Sequence, residues 1–546
     1  MHPPCDWRVL SRVVRPAAVS CAPASCRDAS MTDVRLPDAS EPEAPEDAAP
    51  VTAGPSFRRI GRNTLIYSAG VFVQRIISVL MLPVYTRVMT PADYGVLDLL
   101  QMVTDIAALL LTAGLTAGLQ RFYFQTDDFK TRRAIVSTAF LMQLGLAMVG
   151  TIALLMLAGP IAQNALGGSG TPRMVRIAAL NFSLGMLAAV PLTLMQTEER
   201  AQLHLKVTLT KLVLGVSMNL LFVVQFRLGA EGILLSTLVT NVIVGTWTAI
   251  WMVRRMGVAF DPHWLRELRR FGVPYQLSWA GSFLLTFGDR FFLQAARGAS
   301  SVGLYSLAYQ FGFILAQVAG QPFIQAWRPQ RFQLVGAPKA ERDHATREGF
   351  FFMSVVLITG ATATCLFVEP FLRVMTTKSF YGAATLVPLI ALAYVVETWA
   401  NAVSFGIEVS EKTKYNAYGT WISAAVALGL YALLIPRFGG YGAALATAGG
   451  FATRLLLLLR WSQRLWPVEY GWGRPLLTAG LGALATLAYI WIAPTELRLQ
   501  IGASVALFLG YLVAMWGICL TKDERVLVLR AIHDGRHALQ ILARGN

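Results

Sequence analysis

Arginine and aspartate recur inside stretches that are otherwise apolar, and any chemistry of this chain has to lie there. Arg75 sits in the middle of an apolar helix running through Tyr67, Val71, Ile77 and Leu80, and Asp98 and Asp105 follow in the next apolar segment. Asp289 and Arg290 stand side by side in a later one. An Arg at the centre of a membrane span costs roughly 2.5–3.5 kcal/mol on insertion scales, so such residues face a partner or a wet cavity. Arg75 and Arg290 suit a phosphate, because the planar guanidinium stays charged and donates paired hydrogen bonds. Asp98, Asp105 and Asp289 suit a coupling cation or a structural ion pair.

Helical spacing groups further polar residues with these charges. At one residue per 100°, Asn63, Tyr67, Gln74, Ser78 and Tyr85 share a face with Arg75 at its edge. Tyr275, Ser278, Trp279, Ser282, Thr286, Asp289 and Arg290 fall within about one third of the circumference of another helix. Gln310, Gln317, Gln321 and Gln325 line one side of the helix after it and end at Arg328, and Asp98, Gln101, Asp105, Thr112 and Thr116 do the same on the helix after Arg75. Such faces imply a hydrated cavity. The candidate head-group residues are Arg75, Arg290, Gln74, Tyr67, Trp279, Gln310, Gln317 and Gln321; the ion-coupling or structural charges are Asp98, Asp105 and Asp289. A plainer reading stands beside each: Arg75 as the partner of Asp98 or Asp105, the glutamines as bridges between helices, and Asp289 with Arg290, adjacent residues that do not face each other well on one helix, as ordinary interface charges near its outer end.

The elements that position these residues are membrane helices. The 546 residues are 55% hydrophobic and only 14% charged, with mean hydropathy +0.52, against about 25% charged in soluble domains. Apolar stretches of spanning length are about fourteen in number, near 63–86, 95–118, 134–158, 174–195, 206–226, 231–252, 271–294, 302–327, 349–369, 383–402, 417–436, 439–460, 475–493 and 500–520. The fold class is all-α and polytopic. The net charge of +16 does not argue for nucleic acid, because the basic residues are dispersed among loops. With the N-terminus inside, most loop Lys and Arg fall on the cytoplasmic side, among them Arg132, Arg133, Arg254, Arg255, Arg266, Arg269 and Arg270. Both termini are therefore expected in the cytoplasm. Arg8, Arg12 and Arg15 interrupt the only apolar run near Met1, so a cleaved signal peptide is not expected. Met31 is a second candidate start.

No constellation for covalent chemistry emerges. The chain has no DxD in an extramembrane loop, no nucleotide-binding Gly loop and no nucleophile elbow. Its five cysteines show neither CxxC nor Cys/His spacing, so no metal and no cofactor is expected.

One stretch carries a resemblance. LPVYTRVMTPADYGVLDL, from Leu82 to Leu99, with its P-x-Y-T-R, T-P-x-x-Y-G and Leu-Asp wording, resembles the first hairpin of bacterial polysaccharide-biosynthesis flippases. Val302-Gly303-Leu304-Tyr305-Ser306-Leu307-Ala308-Tyr309 is a second matching patch. These repeat-unit translocases (Wzx-type) belong to the multidrug/oligosaccharidyl-lipid/polysaccharide exporter superfamily, which also holds lipid II flippases and drug exporters. The resemblance implies alternating access by two six-helix lobes, with two extra helices favouring the flippase branch over drug exporters. It implies an undecaprenyl-linked oligosaccharide as substrate, the bilayer and polysaccharide polymerases or glycosyltransferases of the pathway as partners, and the bacterial inner membrane as location. A multidrug or cation antiporter and a lipid II flippase are the alternatives. The expected divisions are a disordered tail at 1–57, a first lobe at 58–253, a cytoplasmic amphipathic linker at 254–270, a second lobe at 271–460, an additional helix pair at 461–520, and a cytoplasmic tail at 521–546.

Overall fold

The computed structural model describes residues 73–74, 77–111, 114–492 and 494–526, and every regular element among them is helical. The tail at 1–57, Tyr67 and Arg75 lie outside the described residues. We number the helices α1 (Ile77–Val88), α2 (Pro91–Leu111), α3 (Leu115–Tyr123), α4 (Phe129–Met156), α5 (Pro172–Thr197), α6 (Ala201–Gln225) and α7 (Gly229–Met256). Then follow α8 (Pro262–Phe287), α9 (Asp289–Arg297), α10 (Ala299–Gly336), α11 (Lys339–Met375), α12 (Lys378–Val409), α13 (Lys414–Phe438), α14 (Gly440–Leu465), α15 (Gly473–Ile492) and α16 (Leu497–Cys519).

Each expected span falls on helix, the first of them on α1 for its described part, 95–118 divided between α2 and α3, and 271–294 between α8 and α9. Among the described residues, 12 helices are long and apolar enough to cross a membrane. Two others fall short of that measure for plain reasons. Only the end of the first span is described, and α8 opens with Arg266, Glu267, Arg269 and Arg270 before turning apolar. Residues 262–270, part of the expected linker, are thus the opening turns of α8.

Local signals set the ends. Asp128 accepts from the Lys130 and Thr131 amides ahead of α4, Thr171 accepts from the Met174 amide ahead of Pro172, and Asp261 accepts from the His263 amide ahead of Pro262. Each is a short polar side chain satisfying orphan N–H groups of a first turn. Between α2 and α3 the chain bends at Gly114, whose φ of 62° suits glycine. A Cβ there would also lie 2.5 Å from the Gly272 carbonyl oxygen of α8.

Helix α8 joins two packing regions. Its early residue Leu268 is buried with Leu115, Leu119, Phe122 and Ile135, flanked by Trp264 and Phe271. Leu285, farther along, belongs instead to the large core of α10, α12, α13 and α14 around Tyr305, Tyr309, Tyr394 and Tyr431. One end of the bundle, the one carrying the α1–α2 turn at Thr90, is closed where α2 meets α10. A Cβ on Gly95 would lie 2.0 Å from the Ala299 carbonyl oxygen, and one on Gly303 would lie 1.8 Å from that of Pro91. Small residues are what let two membrane helices approach backbone to backbone.

The last two helices are pinned to α11 at both ends. Near Thr90's side, Glu369 takes Arg373 at 2.7 Å and Gln500 at 3.0 Å, while Arg373 reaches the Thr495 carbonyl at 2.8 Å. At the other end Arg474 lies 3.7 Å from the Phe351 ring centroid and donates to the Cys519 carbonyl at 2.7 Å and to Glu524. Burial disfavours the charged form of Glu524, but hydrogen bonds from Arg474 and Thr521 outweigh it and hold its carboxyl below the usual range. A depressed folded value means that this tie stabilises the fold above the unfolded carboxylate pKa and weakens as pH falls through the folded one. Amide protection factors in α15 and α16, which correct for the intrinsic pH dependence of exchange, should therefore fall on acidification, and Glu524→Gln should show that lower protection already at pH 7 with little further pH dependence.

Candidate functional site

The break between α8 and α9 at Gly288 brings Asp289 and Arg290 into the protein just below the closed end. Asp289 is 0% exposed and Arg290 3%. Arg290 Nη1 donates to Asp289 Oδ1 at 3.0 Å, and Nε donates to Asp98 Oδ2 on α2 at 2.8 Å. The expectation that Asp289 and Arg290 face apart fails, because the long arginine side chain folds back on its neighbour at a helix start. Their reading as interface charges fails with it: both are buried.

Two tiers of hydroxyls complete the centre. Asp289 Oδ2 accepts from the Tyr305 hydroxyl at 2.5 Å and from Thr447 Oγ1 at 3.1 Å. Thr447 in turn lies 3.2 Å from the Tyr431 hydroxyl, which donates to the Leu285 carbonyl at 2.9 Å. On the other side Ser306 Oγ donates to Asp98 Oδ2 at 2.5 Å. The Arg290 guanidinium carbon sits 4.2 Å from the Tyr309 ring centroid and 5.1 Å from that of Phe287, a cation–π arrangement strengthened by desolvation. Buried charges persist only when paired and hydrogen-bonded in this way.

A cavity of about 200 Å³ opens beside the centre, lined by Asp98, Arg290, Ser306, Tyr309, Gln310 and Ser78 among apolar side chains. Of the glutamine row, only Gln310 reaches it. A π-helical turn at Ala316–Gly320 interrupts α10 between Gln310 and Gln321, so uniform 100° spacing does not carry across; Gln317 is exposed within that turn and Gln321 half-buried. Trp279 is 60% exposed on α8, Gln74 is exposed, and Asp105 accepts from Gln101 at 2.8 Å. A second, wider groove of about 700 Å³ runs along the start of α8, where Arg266, Arg269, Arg270 and Val273 line it. Among the described residues, no group of His, Cys, Asp and Glu has the makings of a metal site.

Sequence reasoning missed part of this. Tyr305, Ser306 and Tyr309 lay within a matching patch but were not singled out, and Thr447 and Tyr431 carried no signal beyond being polar in apolar spans. Glu397 and Arg454, 4.0 Å apart between α12 and α14, were legible by the same rule that flagged Asp98.

The comparison with known families decides the affiliation. A family model described as "Polysaccharide biosynthesis protein" matches residues 84–394, more than half of the chain and both elements that hold the Asp98–Arg290 centre. The chain belongs to that family. No curated protein matches it by sequence. Among solved structures, this family member is similar to "Lipid II flippase MurJ, inward closed conformation", with TM-score 0.64, 12% identity, and 83% of this chain and 99% of that one covered. An inward-facing multidrug resistance MATE family transporter of the MOP superfamily follows at TM-score 0.58, 13% identity, covering 74% of this chain and 97% of its own. An outward-facing one gives 0.52, 14%, 74% and 94%. The family member thus has the fold of the MOP-superfamily transporters.

Proposed function

We propose that this protein flips a polyprenol-(pyro)phosphate-linked oligosaccharide, a repeat unit of O-antigen, capsule or exopolysaccharide, across the bacterial inner membrane by alternating access. The observation that carries the reading is the Asp98–Arg290–Asp289 centre, which spans the two helical sets and lines a cavity beneath a closed end. In this reading α1–α7 and α8–α14 are the two lobes, the Thr90 end faces out, and both termini are cytoplasmic. Arg290 and Arg75 attract the phosphate, Gln310 and the aromatics meet sugars, and the prenyl tail stays in lipid. No covalent bond is made or broken. Arg266, Arg269 and Arg270 form a basic lip at the cytoplasmic end of α8, suited to drawing an anionic head group from the inner leaflet.

A cation or drug antiporter is the second reading, favoured by one feature: two carboxylates against one guanidinium leave the centre formally negative. A deletion strain separates the two. Loss of surface polysaccharide, restored by wild type and not by Arg290→Gln at normal protein level, supports the flippase; unchanged polysaccharide with increased drug susceptibility supports the antiporter. Replacing Arg266, Arg269 and Arg270 together by Gln should raise the substrate concentration needed for half-maximal flipping, leave the maximal rate near wild type, and weaken the salt dependence of uptake. An unchanged half-saturation value would remove the basic lip from the mechanism.

A further inference from the structure

We infer that Asp98 is the residue that makes outward opening selective for a phosphate-bearing head group, by holding Arg290 until such an anion takes its place; this rests on the flippase reading above.

Arg290 has two carboxylate partners, and they are not equivalent. Asp289 is fully buried and held by Tyr305 and Thr447 within the second helical set. Asp98 comes from the first set, its side chain is 28% exposed, and it lines the cavity together with Arg290 and Ser306. Asp289 is thus the permanent partner and Asp98 the exchangeable one. The exchangeable contact is also the one that ties the sets together. Asp98 lies one helical turn inside Gly95, and its two partners, Arg290 and Ser306, are on α9 and α10.

A phosphate arriving in the cavity presents several oxygens to the Arg290 Nε edge and to the Ser306 hydroxyl, the two donors that Asp98 now uses. Both anions cannot stay. Asp98 occupies both of these donors on the cavity wall, so a phosphate takes them only when Asp98 withdraws. Withdrawal breaks the tie across α2 and α10, and repulsion between Asp98 and the phosphate then favours separation of the outer ends. A neutral glycolipid offers nothing that replaces the carboxylate on Arg290. A ligand shifts such an equilibrium only by its differential affinity for the two states, and here the difference is a single ion pair.

The test uses the full-length chain in lipid nanodiscs, with native cysteines replaced by alanine and spin labels at Gln163→Cys and Thr385→Cys, exposed positions at the Thr90 end. Distances are measured without ligand, with undecaprenyl pyrophosphate, and with undecaprenol; binding of each radiolabelled lipid is measured in parallel. In wild type the pyrophosphate lipid should lengthen the distance and undecaprenol should not. Asp98→Asn should populate the long distance without ligand, shrink the shift that the pyrophosphate lipid produces in the opening equilibrium by about 5–150-fold, the range of a typical coupling energy, and tighten binding of that lipid relative to undecaprenol. Ser306→Ala, which leaves the ion pair intact, should move the same way by a smaller amount and guards against a folding defect in Asp98→Asn. If the pyrophosphate lipid binds but Asp98→Asn and Ser306→Ala both respond like wild type, the inference is overturned and the flippase reading stands. If undecaprenyl pyrophosphate does not bind at all, both fall.

Discussion

Gly303→Val is expected to force apart the closed end of the bundle and to lower the thermal unfolding midpoint sharply. Even a methyl at residue 303 would sit 1.8 Å from the Pro91 carbonyl oxygen and 2.9 Å from the Gly95 nitrogen. These are backbone atoms, which cannot swing aside as a side-chain tip would, so α2 and α10 must separate. Overpacking typically costs 1–3 kcal/mol and occasionally more, and a branched side chain against two backbones belongs at the upper end, about 3 kcal/mol. Gly429→Ala on α13, where nothing lies within 4 Å of the added Cβ, should be silent. The contrast matters because both changes add apolar volume inside a membrane helix. A cysteine cross-link across the Thr90 end should form readily in wild type and poorly in Gly303→Val. Equal cross-linking, with an unchanged midpoint, would show that the glycine contact does not hold this end closed.

Asp289→Ala carries the largest expected loss of stability. It leaves Arg290, 3% exposed, with only the partly exposed Asp98 as counter-charge, and deprives the Tyr305 and Thr447 hydroxyls of their acceptor. Removing one partner of a buried pair costs about 3–5 kcal/mol, whereas replacing the whole pair by apolar groups is often neutral. The double variant Asp289→Leu, Arg290→Met should therefore recover much of the midpoint lost in Asp289→Ala while remaining unable to restore polysaccharide export. Export restored by the double variant would place transport elsewhere than at this centre. A midpoint unchanged in Asp289→Ala would mean that the burial of this pair is not energetically significant.

The architecture was legible because membrane helices announce themselves by length: apolar runs near 134–158 or 349–369 have no other way to satisfy their backbone groups. The hairpin at 417–460, separated only by Pro436, Arg437, Gly439 and Gly440, resolved into α13 and α14 with Gly439 at φ 56° between them. Embedded charge was legible for the same reason, which is why Asp98, Asp289 and Arg290 stood out. Their partners did not. Pairing of Arg290 with Asp98 joins residues 192 positions apart, and no helical wheel on one segment can show it. Even the Asp289–Arg290 contact was misjudged, since helical geometry describes Cβ directions and not the reach of an arginine. The glutamine row was read too regularly because the π-turn at Ala316–Gly320 has no sequence mark beyond its Gly320. Tyr305 and Tyr309 looked like ordinary aromatic packing, and only the fold reveals that one holds Asp289 and the other stacks on Arg290.

Leaflet-resolved detection of polyprenol-linked oligosaccharide, in cells lacking this protein and complemented by wild type or Arg290→Gln, addresses the transport assignment most directly. The expected result is accumulation in the cytoplasmic leaflet, relieved by wild type and not by Arg290→Gln. A normal distribution between leaflets in the deletion strain, with no second flippase present, would contradict it.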